Sequence, residues 1–266
     1  MIKFFRKIRQ RTVAPNGIND MIKENRVSKY MLYAIGEIIL VVIGILIALQ
    51  INNWNEERIK HVERQQLISA ILEDFEYNRE TLNNNGVPAI ELALENMSLF
   101  FQLMEQETEL NQGHLLPSIP VSVDSLRRIA IPFFQSFPYN ANLTSLNEAS
   151  SSGKLSLLKN KDLFKKFTLF EMYHDEYRNL TDEFTSAYYN GCLWEIRKTV
   201  APDVLAGSNA MPELSYTQYK KIMDQPLAQT ALYNSQLMSF NKRSIIKDML
   251  KTSEEIISIL QEMQQK

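Results

Sequence analysis

Residues Met31–Ile51 read MLYAIGEIILVVIGILIALQI, an apolar run of 21 residues broken by one charge, Glu37. As a helix rising about 1.5 Å per residue it is roughly 30 Å long, the thickness of a bilayer's hydrocarbon core. A helix this long and apolar on every face has no stable place on the surface of a globular domain. The run is therefore expected to be a transmembrane helix. It divides the chain into a basic tail over 1–30, the span over 31–51 and an outer domain over 52–266.

Residues 1–30 hold eight Lys or Arg (Lys3, Arg6, Lys7, Arg9, Arg11, Lys23, Arg26, Lys29) against Asp20 and Glu24, a net +6; the whole chain is −2, so residues 31–266 carry −8. Basic flanks stay cytoplasmic, which predicts the N-terminus inside and the C-terminal domain in the periplasm, on a cell inner membrane. The bias thins near the span, where residues 11–30 carry four positive charges and residues 52–71 carry three. Tyr30 and Tyr33 suit one membrane interface as anchors and Trp54 suits the other. In MIKFFRKIRQR, Ile2, Phe4, Phe5 and Ile8, if helical, can touch lipid while the cations meet anionic head groups; a plain topogenic tail is the other reading, and one tail can do both. A cleaved signal peptide would need a shorter apolar core and a small-x-small site. Ala48-Leu49-Gln50-Ile51-Asn52-Asn53 offers none, so retention as an anchor is expected. The single cysteine, Cys192, lies too deep for a lipoprotein, permits no internal disulfide and reads as a small core residue.

Beyond the span, glycine is scarce, at eight in 266 residues, and apolar positions recur at three and four. Ile68, Ile71, Leu72, Phe75 and Leu82 follow helical spacing, and no Pro or Gly falls between Gly44 and Asn85. The span and the first outer helix are expected to be one rod that stops at Asn83-Asn84-Asn85-Gly86. Pro88 is expected to open a second helix ending before Asn111, followed by a loop with Pro117 and Pro120. A short helix is predicted over Val123–Ile131, then an aromatic turn between Pro132 and Pro138. Next come a helix stopped at Gly153 and a restart capped near Asn160 to Asp162. The helix from Lys161 to about Val200 carries Leu163, Phe167, Phe170, His174, Tyr177, Thr181, Phe184 and Tyr188 at steps of four and three, widened by Tyr173, Leu180, Ala187 and Trp194. Pro202 and Gly207 are expected to end it. After a short helix (Tyr216 to Met223), Pro226 opens the last one, with Leu237, Ile245, Ile246, Met249, Leu250, Ile256, Ile257, Leu260 and Met263 on its apolar side. The predicted class is all-α: one N-terminal transmembrane helix continuous with the first helix of an extracytoplasmic antiparallel helical bundle.

MIKFFRKIRQ, and then SKYMLYAIGEIILVVIGILIALQINNWNEERIK, resemble a family of uncharacterised single-span membrane proteins of Gram-negative bacteria, a domain of unknown function. The likeness is dense over residues 1–10 and 28–60, and SSSGKLSLLKNKDL also resembles a helix-turn-helix common in the family. The insert RTVAPNGINDMIKENRV is longer than the family pattern. The resemblance implies membrane location and a helical fold. It implies no catalytic residue.

Candidate chemistry is sparse. A carboxylate about one and a half turns inside a span is costly and is a functional candidate. Glu37, Val41, Gly44 and Ala48 share one helix face, and Gly44 with Ala48 lets another helix approach closely. That face can pack on a partner helix; alternatively Glu37 snorkels to the membrane edge or is protonated there. The collar Gln50, Asn52, Asn53, Trp54 and Asn55 is either an anchor or a contact site for another membrane protein. His61, His114 and His174 lack metal-ligand spacing. Glu171 and His174 form one Glu-x-x-His pair, and no second pair exists. Ser150, Ser151, Ser152 and Lys154 fit neither a nucleophile elbow nor a phosphate loop, and read best as a helix end. Ser151, Ser152 and Lys154 stay as weak ligand or partner candidates. Phe133, Phe134, Phe137 and Tyr139 line a pocket or plug the end of a bundle.

The composite expectation is a non-enzymatic accessory or interaction subunit with no cofactor, no metal and no catalytic residue. Its partners are the lipid bilayer and another membrane protein, or itself, met through the span. Nucleic acid is excluded by an acidic domain without a basic face. A ligand-sensing outer domain signalling through a membrane partner, a scaffold holding envelope components together and a helical-bundle enzyme are the alternatives. A 30-residue inner tail has no room for an output domain, which favours the accessory role.

Overall fold

The computed structural model describes residues 22–105, 108–111, 114–117, 122–191, 193, 194, 196 and 215–265. The basic segment 1–21, Cys192, Pro120, Pro202 and Gly207 lie outside them. The chain divides into two compact units, Met1–Val62 and Glu63–Lys266. Residues 52–62, assigned above to the outer domain, group with the apolar helix.

Helix α1 spans Ile22–Thr81. In the first unit, every residue from Lys29 to Val62 is exposed except Gly36, which is partly covered. By length and composition this helix can cross a membrane.

The second unit is predominantly helical. After Thr81 the chain makes a π-helical turn, Leu82–Gly86, with the Val87 N–H donating to the Leu82 carbonyl, and enters α2, Val87–Glu105. The stop expected at Asn83-Asn84-Asn85-Gly86 is therefore a widened turn and not an end. Pro88 supplies the reason. It has no N–H for the carbonyl four residues back, and its ring crowds that carbonyl, so the helix opens by one residue. The second helix is described to Glu105, before Asn111 as expected. Two short strands follow, β1 (Thr108–Asn111) and β2 (His114–Pro117), antiparallel with Thr108 opposite Pro117 and Asn111 opposite His114. They stand where a loop was expected, in a chain that is otherwise helical among the described residues.

Helix α3 (Val123–Ala130) is capped by the Ser122 side chain, which accepts from the Ser125 N–H at 3.1 Å. A 3₁₀ turn (Ile131–Phe133) leads through irregular backbone to α4 (Thr144–Ser151). Gly153 sits at φ 73°, a left-handed conformation that stops α4 as expected. A second 3₁₀ turn (Lys154–Leu158) precedes α5, Lys161–Asn190. The Asn160 side chain caps α5, accepting from the Asp162 and Leu163 N–H groups at 3.0 and 3.1 Å. The end of α5 corrects the sequence reading, which ran it to Val200. A Cβ on Gly191 would lie 2.8 Å from the Ala187 Cα, so the chain leaves the helix where only glycine fits. Trp194 falls beyond that break and is exposed. A capping box of Ser215 and Gln218 opens α6 (Tyr216–Met223), and Pro226 opens α7 (Pro226–Gln264).

Helix α5 packs along α7, with Lys166 to Glu255 at 2.6 Å and the Lys242 ammonium 5.3 Å from the Tyr177 ring centre. Helix α2 packs on another side of α7 through Ser98–Gln236 (3.2 Å), Glu91–Lys247 (2.6 Å) and a Phe101–Tyr233 stack at 4.2 Å. The part of α1 in this unit meets α5 through Phe75, whose ring lies 5.7 Å from Phe167 and 5.0 Å from Phe170. The buried face of α7 runs through Ser235, Ser239, Lys242, Ile246, Met249, Ser253, Ile256, Leu260 and Met263. Leu237, expected on that face, is exposed.

Burial forms two apolar clusters. One gathers Met97, Phe100, Phe133, Phe184, Tyr219 and Leu232. The other gathers Ile68, Phe75, Phe170, Tyr177, Met249 and Ile256. Phe75 is fully buried between two aromatic neighbours. Phe75→Ala is expected to cost about 3–5 kcal/mol of stability. Denaturant unfolding of the detergent-solubilised protein, followed by far-ultraviolet circular dichroism, measures this; a loss under about 1 kcal/mol contradicts the packing.

Candidate functional site

Two places in the chain concentrate unusual chemistry. The first is the exposed helix of the first unit. Glu37, Val41, Gly44 and Ala48 lie along one of its sides, and a Cβ built on Gly44 meets no atom within 4 Å. Tyr30 and Tyr33 lie at one end of the apolar run and Trp54 at the other, all three exposed. The collar amides bond within the helix: Asn52 donates to Glu56 at 2.8 Å, and Arg58 reaches the Asn55 carbonyl oxygen at 3.5 Å.

The second is a buried polar clasp in the second unit. Residues 134–143 carry no regular structure, so their peptide groups have no ladder to pair with. Three helices supply partners. From α1, the fully buried Asn78 reads the peptide of Asn142 as another backbone would: its Nδ2 donates to the carbonyl and its Oδ1 accepts from the N–H, both at 2.7 Å. The same Oδ1 accepts from the Tyr139 hydroxyl at 3.2 Å. One turn earlier, Asp74 accepts from the Asn142 side-chain amide at 2.8 Å and from the Ser145 N–H at 2.7 Å. The second bond places a carboxylate on the first turn of α4, where the helix dipole favours it.

From α5, His174 Nε2 accepts from the Ala141 N–H at 3.3 Å, and the Tyr177 hydroxyl donates to the Phe137 carbonyl. From α7, Ser235 donates to the Phe133 carbonyl and Lys242 to the Ser136 hydroxyl, each at 3.3 Å. Burial holds the Tyr139 phenol far above its ordinary range, with Tyr77 adding to it, and raises Tyr177 to about 12. Burial lowers His174 below the usual 6.5, opposed by Asp175 and helped by Arg178. It lowers Lys242 to about 8, opposed by Asp182. The Lys242 ammonium is 3% exposed and faces the Tyr177 and Phe184 rings at 5.3 and 5.6 Å.

Beside His174 a surface groove of about 420 Å³ is lined by Thr144, Asn147, Glu171, Asp175 and Arg178. An imidazole accepting through Nε2 carries its proton on Nδ1, so His174 is neutral here and engaged with backbone. The Glu171–His174 pair has no companions: among the described residues, no group of three or more His, Cys, Asp or Glu is placed to hold a metal ion. The aromatics of the turn pack and do not line a pocket. Phe133, Phe134 and Tyr139 are buried, and the cavity against Phe133 and Phe134 is about 10 Å³, room for one water at most. Ser151 and Ser152 end α4 and return their hydroxyls to the Glu148 carbonyl, at 3.0 and 2.7 Å; Lys154 is exposed nearby.

Sequence reasoning missed Asp74, Asn78, Asn142 and Lys242. A signal was present. Asn78 occupies a core position in the series Ile68, Ile71, Phe75, Leu82, and Lys242 does so between Ser239 and Ile246. A polar residue at core spacing points to a buried partner.

No family model, no curated protein and no solved structure matches this chain.

Two outcomes test the clasp. The folded state holds His174 neutral, so its contribution is complete above the unfolded value of 6.5 and falls as pH drops through the lower folded value. The Ala141 amide, which loses its acceptor on protonation, is expected to exchange faster relative to the Asn142 amide as pH falls below that range. Hydrogen exchange with mass spectrometry reads this, and a constant ratio contradicts it. Lys242 is charged and buried at neutral pH. Lys242→Met is expected to raise stability by about 1–3 kcal/mol at pH 7, with a smaller gain at pH 10. A destabilised variant shows that the ammonium's contacts outweigh its desolvation.

Proposed function

We propose that this chain is a single-pass membrane protein of the bacterial inner membrane, N-terminus cytoplasmic, carrying an extracytoplasmic helical bundle and acting as a non-enzymatic accessory or interaction subunit. The observation that supports this most is the stretch Lys29–Val62, where an apolar helix is exposed on all sides. In water that surface would drive aggregation; in a bilayer it is solvated. Its charge pattern favours the inside orientation for the basic end. The resemblance to the single-span Gram-negative family agrees with this reading. The side bearing Glu37, Val41, Gly44 and Ala48 is the contact surface for a partner helix, with the carboxyl as the polar element that would select it.

A ligand-sensing outer domain is the second reading. It rests on the groove beside His174, whose walls mix Glu171, Asp175 and Arg178 with a neutral imidazole. A small molecule that raises the melting temperature of the intact protein would favour sensing over the accessory role.

Glu37→Leu combined with Gly44→Leu is expected to abolish photo-crosslinking from residue 41 to its partner in native membranes, while the protein stays in the pellet after alkaline carbonate extraction. Unchanged crosslinking sinks the packing face. Release by carbonate, or recovery of a chain lacking residues 1–51, points instead to a cleaved signal sequence.

A further inference from the structure

The contact side of the membrane helix does not stop at its apolar run. From Glu37 the positions Val41, Gly44, Ala48, Ile51, Asn55, Arg58 and Val62 follow at alternating steps of four and three. That is a heptad seam, the spacing that keeps one face toward a second helix of the same period. Past Ile51 the helix becomes amphipathic. Ile51, Trp54, Asn55, Arg58, Ile59 and Val62 fall within roughly 140° at 100° per residue, and Asn52, Asn53, Glu56, Glu57, Lys60 and His61 take the remainder. The apolar members are uncovered: Ile51 is 61% exposed, Trp54 69%, Ile59 46% and Val62 48%. The membrane explains exposed apolar surface up to Ile51, but it does not explain Ile59 and Val62, two to three turns further on.

We propose that the face Gly44–Val62 is the seam of a parallel two-stranded coiled coil with a second copy of this chain. The inference rests on the membrane reading above and names the partner of the same surface. Four features select a second copy. Two copies inserted with one topology arrive parallel and at one depth, so each seam residue meets its own counterpart without further adjustment. Gly44 and Ala48 let the two backbones approach inside the membrane, where close packing replaces the hydrophobic drive. Asn55 falls at an a position, where a single asparagine pairs with itself across a parallel dimer and fixes register. Trp54 and Ile59 fall at the flanking g and e positions, so Trp54 of one copy covers Ile59 of the other. Two positions of the longer seam, Glu37 and Arg58, would set like charges together in a symmetric pair, and within the face Gly44–Val62 the residue concerned is Arg58. Its long side chain can lift the guanidinium off the seam, as it does toward Asn55 at 3.5 Å.

Single cysteines introduced into the full chain with Cys192→Ala, expressed in bacterial membranes and oxidised, test this. Ala48→Cys, Ile51→Cys, Asn55→Cys and Val62→Cys are expected to give a disulfide product of twice the chain's mass. Asn53→Cys, Glu56→Cys and Lys60→Cys are expected to give at least about five-fold less. Adding Gly44→Leu and Ala48→Leu to the Ile51→Cys chain is expected to remove that product and leave the circular dichroism spectrum unchanged. Equal yields around the helix, or a dimer product that survives both leucines, overturn the seam. A product of another mass peaking on the same face overturns the second copy and leaves the accessory reading standing. Release of the protein by carbonate overturns the membrane reading itself.

Discussion

Ten consecutive residues without regular structure, 134–143, lie against the helices of the packed unit with Phe134 and Tyr139 buried and the rest half-buried or exposed, and the peptide groups turned to the helices must find partners there. An unpaired buried N–H or carbonyl costs about 1–3 kcal/mol, so a segment like 134–143 cannot be buried on apolar contacts alone. The solution is a set of side chains that imitate backbone. Asn78 pairs with the Asn142 peptide through both its polar atoms, His174 and Tyr177 take the Ala141 N–H and the Phe137 carbonyl, Asp74 and Ser235 hold the flanking Ser145 N–H and Phe133 carbonyl, and Lys242 holds the Ser136 hydroxyl. Phe133 at one end of the segment belongs to one apolar cluster and Tyr139 and Leu146 to the other. The clasp therefore joins two cores that would otherwise meet only through the long helices.

This explains which parts of the fold could be read from the sequence. The stripe on α5 from Leu163 to Tyr188 was legible because periodicity reports burial of apolar groups directly. The Asn160 cap and the Gly153 stop were legible because their chemistry is local. The end of α5 at Gly191 was not. Its cause is a close approach to the Ala187 backbone, and proline at 202 looked like the stronger punctuation. The clasp was invisible for a different reason. Its bonds link residues 61 to 71 positions apart on the α1 side, such as Asp74 to Ser145, and no local pattern encodes such pairings. The hairpin at 108–117 was missed because four-residue strands carry too little alternation to stand out from a loop.

Of the candidate site, the side of the apolar helix that bears Glu37 could be picked out from sequence, because one carboxylate is conspicuous in an apolar run. The polar residues of α7 were passed over as breaks in an apolar face. Ser235, Ser239, Lys242 and Ser253 are in fact buried members of that face. A helix whose inward side carries five hydroxyl or amine residues beside ten apolar ones is held by specific partners as well as by area. Its packing against α5 is accordingly selective about what lies opposite Lys242.

The π-helical turn at Leu82–Gly86 has a consequence for how this chain can vary. Buried positions in α1 step by three and four up to Leu82, and the next fully buried position in α2 is Ile90, reached after two steps of four through Gly86. The turn is a phase shifter: it absorbs one surplus residue and rotates everything after it back into alignment with α7. The three asparagines are therefore countable, not merely polar. Shortening the run by one would restore an ordinary α-turn and leave Ile90, Met97 and Phe100 facing the core, whereas lengthening it by one would swing the whole inward face of α2 by about 100° and carry all three off together. The run can lose one residue and keep the register of α2, but it cannot gain one.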